Sequence, residues 1–204
     1  MQKKYDTTVL GLYVLDILGR PISKIPEGGN LAYIEELRLT VAGTAGGTVV
    51  DCAKLGVSTL GVGAVGDDEK ADFVISTLEK FGVDTSGFER LKGIPTSSTI
   101  LNIRPNGERP ALHLRGACDH FLPPKKEKVD IFDCKVFHLG GTGLLKLLDG
   151  QVSVDLLKEA KDRDCITTWD LIGATEETID IVKPLLPHID YFMPSIEEAS
   201  IMCG

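Results

Sequence analysis

The chain has no long apolar run. Nothing in it approaches the roughly 20 consecutive apolar residues of a membrane-spanning helix, so its sequence argues against a transmembrane protein. It also has no excess of positive charge: 22 Lys and Arg stand against 30 Asp and Glu, a net charge of −8. That balance argues against nucleic acid or an anionic membrane as the main partner, although a local basic pocket stays compatible with it. Cysteine is scarce and unpaired in pattern. Cys52, Cys118, Cys134, Cys165 and Cys203 are scattered, and none falls in a Cys-x-x-Cys spacing, which argues against structural zinc. Cys52, Cys134 and Cys165 lie beside apolar patterns and read as core residues. The N-terminal MQKKYDTTVLG enters a strand pattern without a secretory apolar region, so the expected location is cytoplasmic. Several catalytic motifs are missing as well. No Gly-Lys-Ser/Thr follows a glycine loop, no dinucleotide fingerprint has its proper spacing, and no Gly-x-Ser-x-Gly elbow occurs. The histidines at 113, 120, 138 and 188 form no motif.

The 204 residues present, 43% of them hydrophobic, are enough for one sizeable core. The chain is organised around Val41 to Asp68. Glycines crowd its front, Thr48 to Leu55 reads as a helix with Val49, Val50 and Ala53 inward, and a strand then runs into Gly66-Asp67-Asp68. Gly43, Gly46 and Gly47 fit either a turn before a core helix or a backbone that must approach a ligand closely. Ahead of this stretch, Thr7 to Leu12 is a strand apolar enough to be central in a parallel sheet, and Asp16 follows its C-terminal end, where open α/β folds bind ligands. Residues 17–42 are interrupted by Pro21, Pro26 and Gly28-Gly29. Extended pieces near Ile17–Arg20 and Glu36–Val41 suggest a protruding flap.

Beyond it, Thr59 to Val65 reads as a strand and Glu69 to Gly82 as a helix. From Thr96 the pattern alternates. Pro105-Asn106-Gly107-Glu108 turns the chain, and Ala111 to Arg115 runs back, a strong hairpin signal. Pro123 to Lys128 is a charged surface run. Val136 to Gly140 is a strand ending in Gly140-Gly141-Thr142-Gly143, which fits a glycine turn with amides for an anion or simply a tight connection. Val152 to Arg163 is helical, Cys165 to Trp169 is a strand ending at Asp170, a helix runs from Thr175 to Leu185, and Ile189 to Met193 is a strand. Pro194-Ser195-Ile196-Glu197-Glu198 is a capping box, with Ser195 as N-cap and Glu198 at the third helical position. Strands alternating with helices around a β insertion imply a doubly wound, mostly parallel α/β sheet as a single domain, with a small β lid from about 17–42 and 94–116. One face of such a lid must cover a ligand or a partner subunit, so a homodimer through the lid is expected.

Ala42-Gly43, Thr44-Ala45-Gly46, Gly47, Leu55-Gly56 and Gly66-Asp67-Asp68 together resemble the first signature of the ribokinase (PfkB) family of sugar and nucleoside kinases. Two positions depart from it: Ala42 stands where the first glycine is usual, and Gly47 replaces an asparagine that bonds a substrate hydroxyl. The resemblance implies a ribokinase-like fold and ATP-dependent phosphorylation of a sugar or nucleoside hydroxyl. It implies that Asp16, in the pattern Gly11 to Asp16, binds sugar hydroxyls, and that Gly43, Thr44, Gly47, Asn102 and Arg115 belong to the same acceptor site. Arg115 fits a contact to an acidic substrate and equally a solvated hinge. Asp170 is implied near the phosphate end of the cleft, with Leu171 giving no polar help. Ser195 replaces the asparagine of a Pro-Asn-x-x-Glu motif whose glutamate, here Glu198, holds magnesium through water. Family members continue into a Gly-Ala-Gly-Asp segment that carries the catalytic base and into adenine-binding loops, so this chain is expected to hold the substrate part alone, with no catalytic base before Gly204. The competing reading is a naturally short, non-catalytic polyol-binding protein that dimerises through its lid.

Overall fold

The computed structural model describes residues 2–203, apart from the side chains of Glu176 and Glu177. Two sheets organise the chain. Strands β1 (Tyr5–Gly11), β4 (Thr59–Gly66), β5 (Asp84–Leu91), β8 (Cys134–Thr142), β9 (Ile166–Leu171) and β10 (Tyr191–Phe192) form a six-stranded parallel sheet in the order β10-β9-β8-β1-β4-β5. Strands β2 (Val14–Arg20), β3 (Glu36–Ala42), β6 (Ser98–Asn102) and β7 (Ala111–Leu114) form a second sheet, β3-β2-β6-β7. The doubly wound sheet with a smaller β lid is therefore the observed architecture.

Parallel strands covered on both faces read as nearly continuous apolar runs. In β1, Val9 packs into one core with helices α1 (Thr44–Lys54) and α2 (Glu69–Lys80), while Leu10 packs into the other with helix α3 (Gln151–Asp162). Helices thus lie on opposite faces according to whether the chain moves from β1 toward β5 or from β8 toward β10. The direction of winding reverses between β1 and β8, and a crevice opens there beyond the strand ends. Strand β4 is fully buried yet carries Gly61 and Gly63, because the ring of Tyr13 lies across them: a methyl group at 63 would come within 2.5 Å of Tyr13 Cδ2. Tyr13 is itself buried, donates its hydroxyl to the Val9 carbonyl at 2.8 Å and meets Phe88 edge-on. Trp169 stacks on Phe192 with ring centroids 4.4 Å apart and donates to Thr142 Oγ1, so it serves packing.

Several elements differ from the sequence expectation. Helix α1 opens at Thr44 rather than Thr48: Gly46 and Gly47 are both helical, and the close approach of Gly46 to Val41 and Tyr13 overrides its poor propensity. Strand β2 opens at Val14, which puts Asp16 inside the lid sheet instead of in a loop. Strand β5 was not expected. It lies at the sheet edge, and only Gly87 and Phe88 are buried, so it lacks the apolar run of the central strands. Gly140-Gly141-Thr142 continues β8, and the turn comes only at Gly143. The last helices and strand are shorter: α4 is Glu176–Val182 and β10 holds two residues, before α5 (Ile196–Cys203).

The lid is tied to the main sheet through Asp68. Its carboxylate caps α2 by accepting from Ala71 N at 3.0 Å, and it also accepts the backbone N–H of Thr96 at 3.0 Å and the Thr96 hydroxyl proton. Thr96 Oγ1 in turn accepts from Gly66 N at 2.9 Å. The close of the Gly66-Asp67-Asp68 motif is accordingly a structural clasp. Asp68→Ala removes a cap and two further hydrogen bonds, and should lower stability by about 2–4 kcal/mol in chemical denaturation.

Candidate acceptor site

The crevice between β1 and β8 is built by backbone contact. A methyl group at Gly11 would sit 1.8 Å from the Gly140 carbonyl oxygen, and that oxygen accepts the Leu12 N–H at 2.9 Å. Gly43 then starts α1 at φ 82°, with a would-be methyl 2.3 Å from the Leu12 carbonyl oxygen. Only glycine suits that position, on both torsion and space. The first turn of α1 is thereby pinned over the ends of β1 and β8, with Gly46 N donating to Leu12 O at 3.2 Å. Gly47 faces open space: nothing lies within 4 Å of where its side chain would start.

A polar cluster forms the floor beneath. Asp170, at the end of β9, accepts from Gly141 N at 2.8 Å, and its second oxygen lies 3.4 Å from His138 Nε2. His138 is buried and bonds Thr168 Oγ1 through Nδ1 at 2.9 Å. Among the described residues, His138 Nε2 and Thr44 Oγ1 are buried without a hydrogen-bond partner. A methyl group at Gly140 would lie 3.0 Å from both Ala45 N and His138 Nε2 and 3.1 Å from Thr44 Oγ1. Three polar groups therefore converge on one glycine. His138 and Thr168 escaped the sequence reading, because a lone histidine on a buried strand has no neighbours in sequence to mark it.

Asp16 faces Thr40 on β3 and Thr99 on β6. Burial pushes its carboxyl above the ordinary carboxylate range, with the Thr99 hydroxyl and then His113 opposing the rise. Arg115 pairs with Asp119 at 2.9 Å. It is also close enough to favour ionisation of the half-buried Asp149, whose carboxyl burial raises above its usual range. Asn102 lies elsewhere. It pairs with Gly19 at the far end of the lid, on the face opposite Asp16, and bonds the Pro110 carbonyl through its own backbone N–H. The structure thus gathers Asp16, Gly43, Thr44, Gly47 and Arg115 around the crevice and its lid and leaves Asn102 out.

Ser195 and Glu198 form the expected reciprocal cap. Ser195 N donates to Glu198 Oε2 at 2.8 Å, and Glu198 N donates to Ser195 Oγ at 3.2 Å. Glu198 Oε1 also accepts from Gly173 N at 3.1 Å. This cap follows β10, three strands from β1, or roughly 14 Å across the sheet. The half-buried carboxylate keeps lone pairs for water beside these amides, so its donor set fits a hydrated cation.

The two glycines of α1 should respond oppositely to substitution. Gly43→Ala should cost about 2 kcal/mol or more, through positive φ and the Leu12 contact. Gly47→Ala should stabilise by about 0.5–1 kcal/mol, because helix propensity improves and nothing is displaced. Thermal and urea unfolding of the two variants checks both signs.

Comparison with known proteins agrees with this geometry. The model of the pfkB family carbohydrate kinases matches residues 9–204. A probable fructokinase-5 of Arabidopsis thaliana is 24% identical over 191 residues, which cover 89% of this chain and 59% of the relative. Fructokinase-2 of Solanum lycopersicum is 25% identical, with 87% and 56% covered. Among solved structures, Arabidopsis thaliana ribokinase complexed with ribose and ATP superposes with a TM-score of 0.79 at 19% identity, over 97% of this chain and 62% of that one. The nucleoside kinase of Methanocaldococcus jannaschii gives 0.75 at 19%, over 100% and 66%. The chain thus spans less than two thirds of these proteins. With a doubly wound sheet, a β lid, a glycine-pinned helix over the β1–β8 crevice and a family match along nearly its whole length, the chain belongs to the pfkB family of carbohydrate kinases.

Proposed function

We propose that this chain forms the acceptor-binding part of an ATP-dependent kinase that phosphorylates a hydroxyl of a sugar or nucleoside. The observation that carries the reading is the placement of Asp16: a half-buried carboxylate on the lid, set above the crevice where Gly43 starts α1. A carboxylate in that position accepts hydroxyl protons from a polyol and holds it against the floor. Thr44 and His138 add unpartnered polar atoms beneath. The open space at Gly47 leaves one side of the pocket without a side-chain anchor, so the lid supplies more of the recognition. Asp170 acts by holding Gly141, and through it the end of β8, rather than by taking a proton.

Glu198 would hold magnesium through water near the phosphates of ATP. The bound metal supplies charge compensation for phosphoryl transfer. The base and the nucleotide loops of the family are not assigned to these residues, which span less than two thirds of the relatives' length. The partner is a small molecule rather than nucleic acid, in keeping with the net charge of −8. Among the described residues no helix is long and apolar enough to cross a membrane.

A homodimer through the lid belongs to the same proposal. The lid face away from the crevice exposes Leu37, Leu39, Ile100, Leu112 and Leu114, and Leu37 retains 68% of its surface and Leu112 66%. Apolar side chains crowded in this way favour cover by a second lid. Leu39→Glu with Leu112→Lys should convert the dimer to monomer in sedimentation velocity, while the circular dichroism spectrum stays unchanged.

Calorimetric titration with D-fructose and D-ribose tests the acceptor site. Asp16→Asn should abolish binding. In the unsubstituted chain, affinity should fall as pH drops through the raised Asp16 range, at a higher pH than an exposed carboxylate would impose, because protonation removes an acceptor. Intact mass of the protein from its native source, followed by phosphorylation assays with ATP and magnesium, separates a longer kinase from a short binding protein. A mass of 22.0 kDa together with sugar binding and no turnover would favour the latter.

A further inference from the structure

The lid carries a polar row that the acceptor-site reading uses only at Asp16. Strand register aligns Thr40 on β3, Asp16 on β2, Thr99 on β6 and His113 on β7 as successive direct partners. Directly paired residues share a face of the sheet, so the row crosses the whole lid. The next row, on the opposite face, is Leu39, Ile17, Ile100 and Leu112. A polar and an apolar face on a sheet this small need different neighbours.

The polar face looks toward the crevice. Val14, two residues before Asp16 on the same face, is buried in the core formed with Leu12, Leu139 and Leu145. Arg115, two residues after His113, is near enough to bias Asp149 in the segment after β8. Leu15, on the apolar face, packs instead into the core of α1 and α2. Within the row, Thr99 is buried and its Oγ1 lies 3.0 Å from His113 Nδ1. The same hydroxyl favours the ionised form of Asp16.

We propose that His113 is a specificity-determining residue of the acceptor site: held by Thr99, its Nε2 accepts a second hydroxyl of the polyol that Asp16 binds. The inference rests on the acceptor-site reading above. The Thr99 hydroxyl proton turns to Asp16, and the Thr99 oxygen accepts Nδ1–H of His113. Nε2 is then left as a bare acceptor in the neutral ring. Burial, and Arg115 after it, hold the His113 pKa below its usual value, which keeps that ring neutral. Asp16 and His113 sit two strands apart, roughly 10 Å between backbones, with Thr99 the direct register partner of both and the His113 ring in contact with its hydroxyl. Two acceptors arranged in this way select a molecule with two hydroxyl donors on one edge. They discriminate against one whose second position is deoxygenated, because Nε2 then faces a group that cannot donate.

Calorimetric titration of the 204-residue chain with D-fructose, D-ribose and their monodeoxy analogues tests the inference. The variants are His113→Leu, His113→Gln and Asp16→Asn, each checked for an unchanged melting curve. His113→Leu should weaken the better parent sugar by about tenfold, and His113→Gln, which keeps an acceptor, should stay within about threefold of the unsubstituted chain. One deoxy analogue should bind the unsubstituted chain and His113→Leu equally weakly, which identifies the hydroxyl that His113 reads. If Asp16→Asn loses binding while His113→Leu binds every sugar and analogue as before, the role of His113 is overturned and the acceptor site stands. If neither parent sugar binds the unsubstituted chain, or if Asp16→Asn binds normally, the acceptor-site reading falls and takes this inference with it.

Discussion

The fold turns on one backbone contact, where Gly11 at the end of β1 meets the Gly140 carbonyl near the end of β8. No side chain fits between them. The Leu12 N–H closes the contact, the Leu12 carbonyl receives Gly46 N, and the chain is then free to leave upward into β2. The lid, the first turn of α1 and the floor of the crevice are all referenced to that point. If β1 and β8 were separated by the width of a methyl group, Gly43 would lose its seat on Leu12 and the acceptor site its depth. The glycines here are conditions of closeness, and Gly11 at φ 146° and Gly43 at φ 82° add a demand on torsion.

Polarity is arranged in the same economical way. The buried polar groups at the crevice are few and support one another. Asp170 is shared between Gly141 and His138, and His138 is oriented by Thr168. Such a cluster costs desolvation, which the Gly141–Asp170 and His138–Thr168 hydrogen bonds offset, while Thr44 Oγ1 and His138 Nε2, the latter 3.4 Å from Asp170, have no hydrogen-bond partner. On the distal side the chain uses carboxylates to clasp loops, as Asp190 does with Thr167 N and Lys161. The exposed Asp190 and the half-buried Asp16 differ in their surroundings. Hydrogen bonds from Lys161 and Thr167 hold Asp190 below the usual range, whereas desolvation pushes Asp16 above it.

Much of this architecture is legible in the amino-acid order. β1 reads as a central strand and β4 and β8 as strands, the Asn106-Gly107 hairpin is visible at once, and the capping box at Ser195 and Glu198 appears as written. The failures have physical causes. β5 is an edge strand whose polar residues face solvent, so its pattern resembles a loop. The start of α1 is hidden because Gly46 and Gly47 are poor helix formers, and only the tertiary packing of Gly46 against Val41 and Tyr13 draws the helix back to Thr44. Of the candidate site, Asp16 is marked by its position after a strand, Gly43 by the crowded glycines and Thr44 by the family resemblance of its stretch. His138 and His113 carry no such mark, since each meets its partner, Asp170 or Thr99, only across strands. Asn102 shows the converse: it has a suitable side chain in the expected segment, and strand alternation turns it to the wrong face.

The strand order also sets the timing of folding. β1 precedes every other strand in sequence, yet it is flanked in the finished sheet by β4 and β8, and its pairing with Cys134 to Gly140 spans most of these residues. The lid is likewise assembled from two excursions, because β2 must wait for β6 to pair beside it. Contacts this distant in sequence close late, since loop entropy is lost before they form. Until β8 is made, one side of β1 and its apolar residues stay uncovered. The nascent chain therefore passes through a long interval in which its future central strand is an open edge, the period of greatest exposure to chaperones and to misassembly.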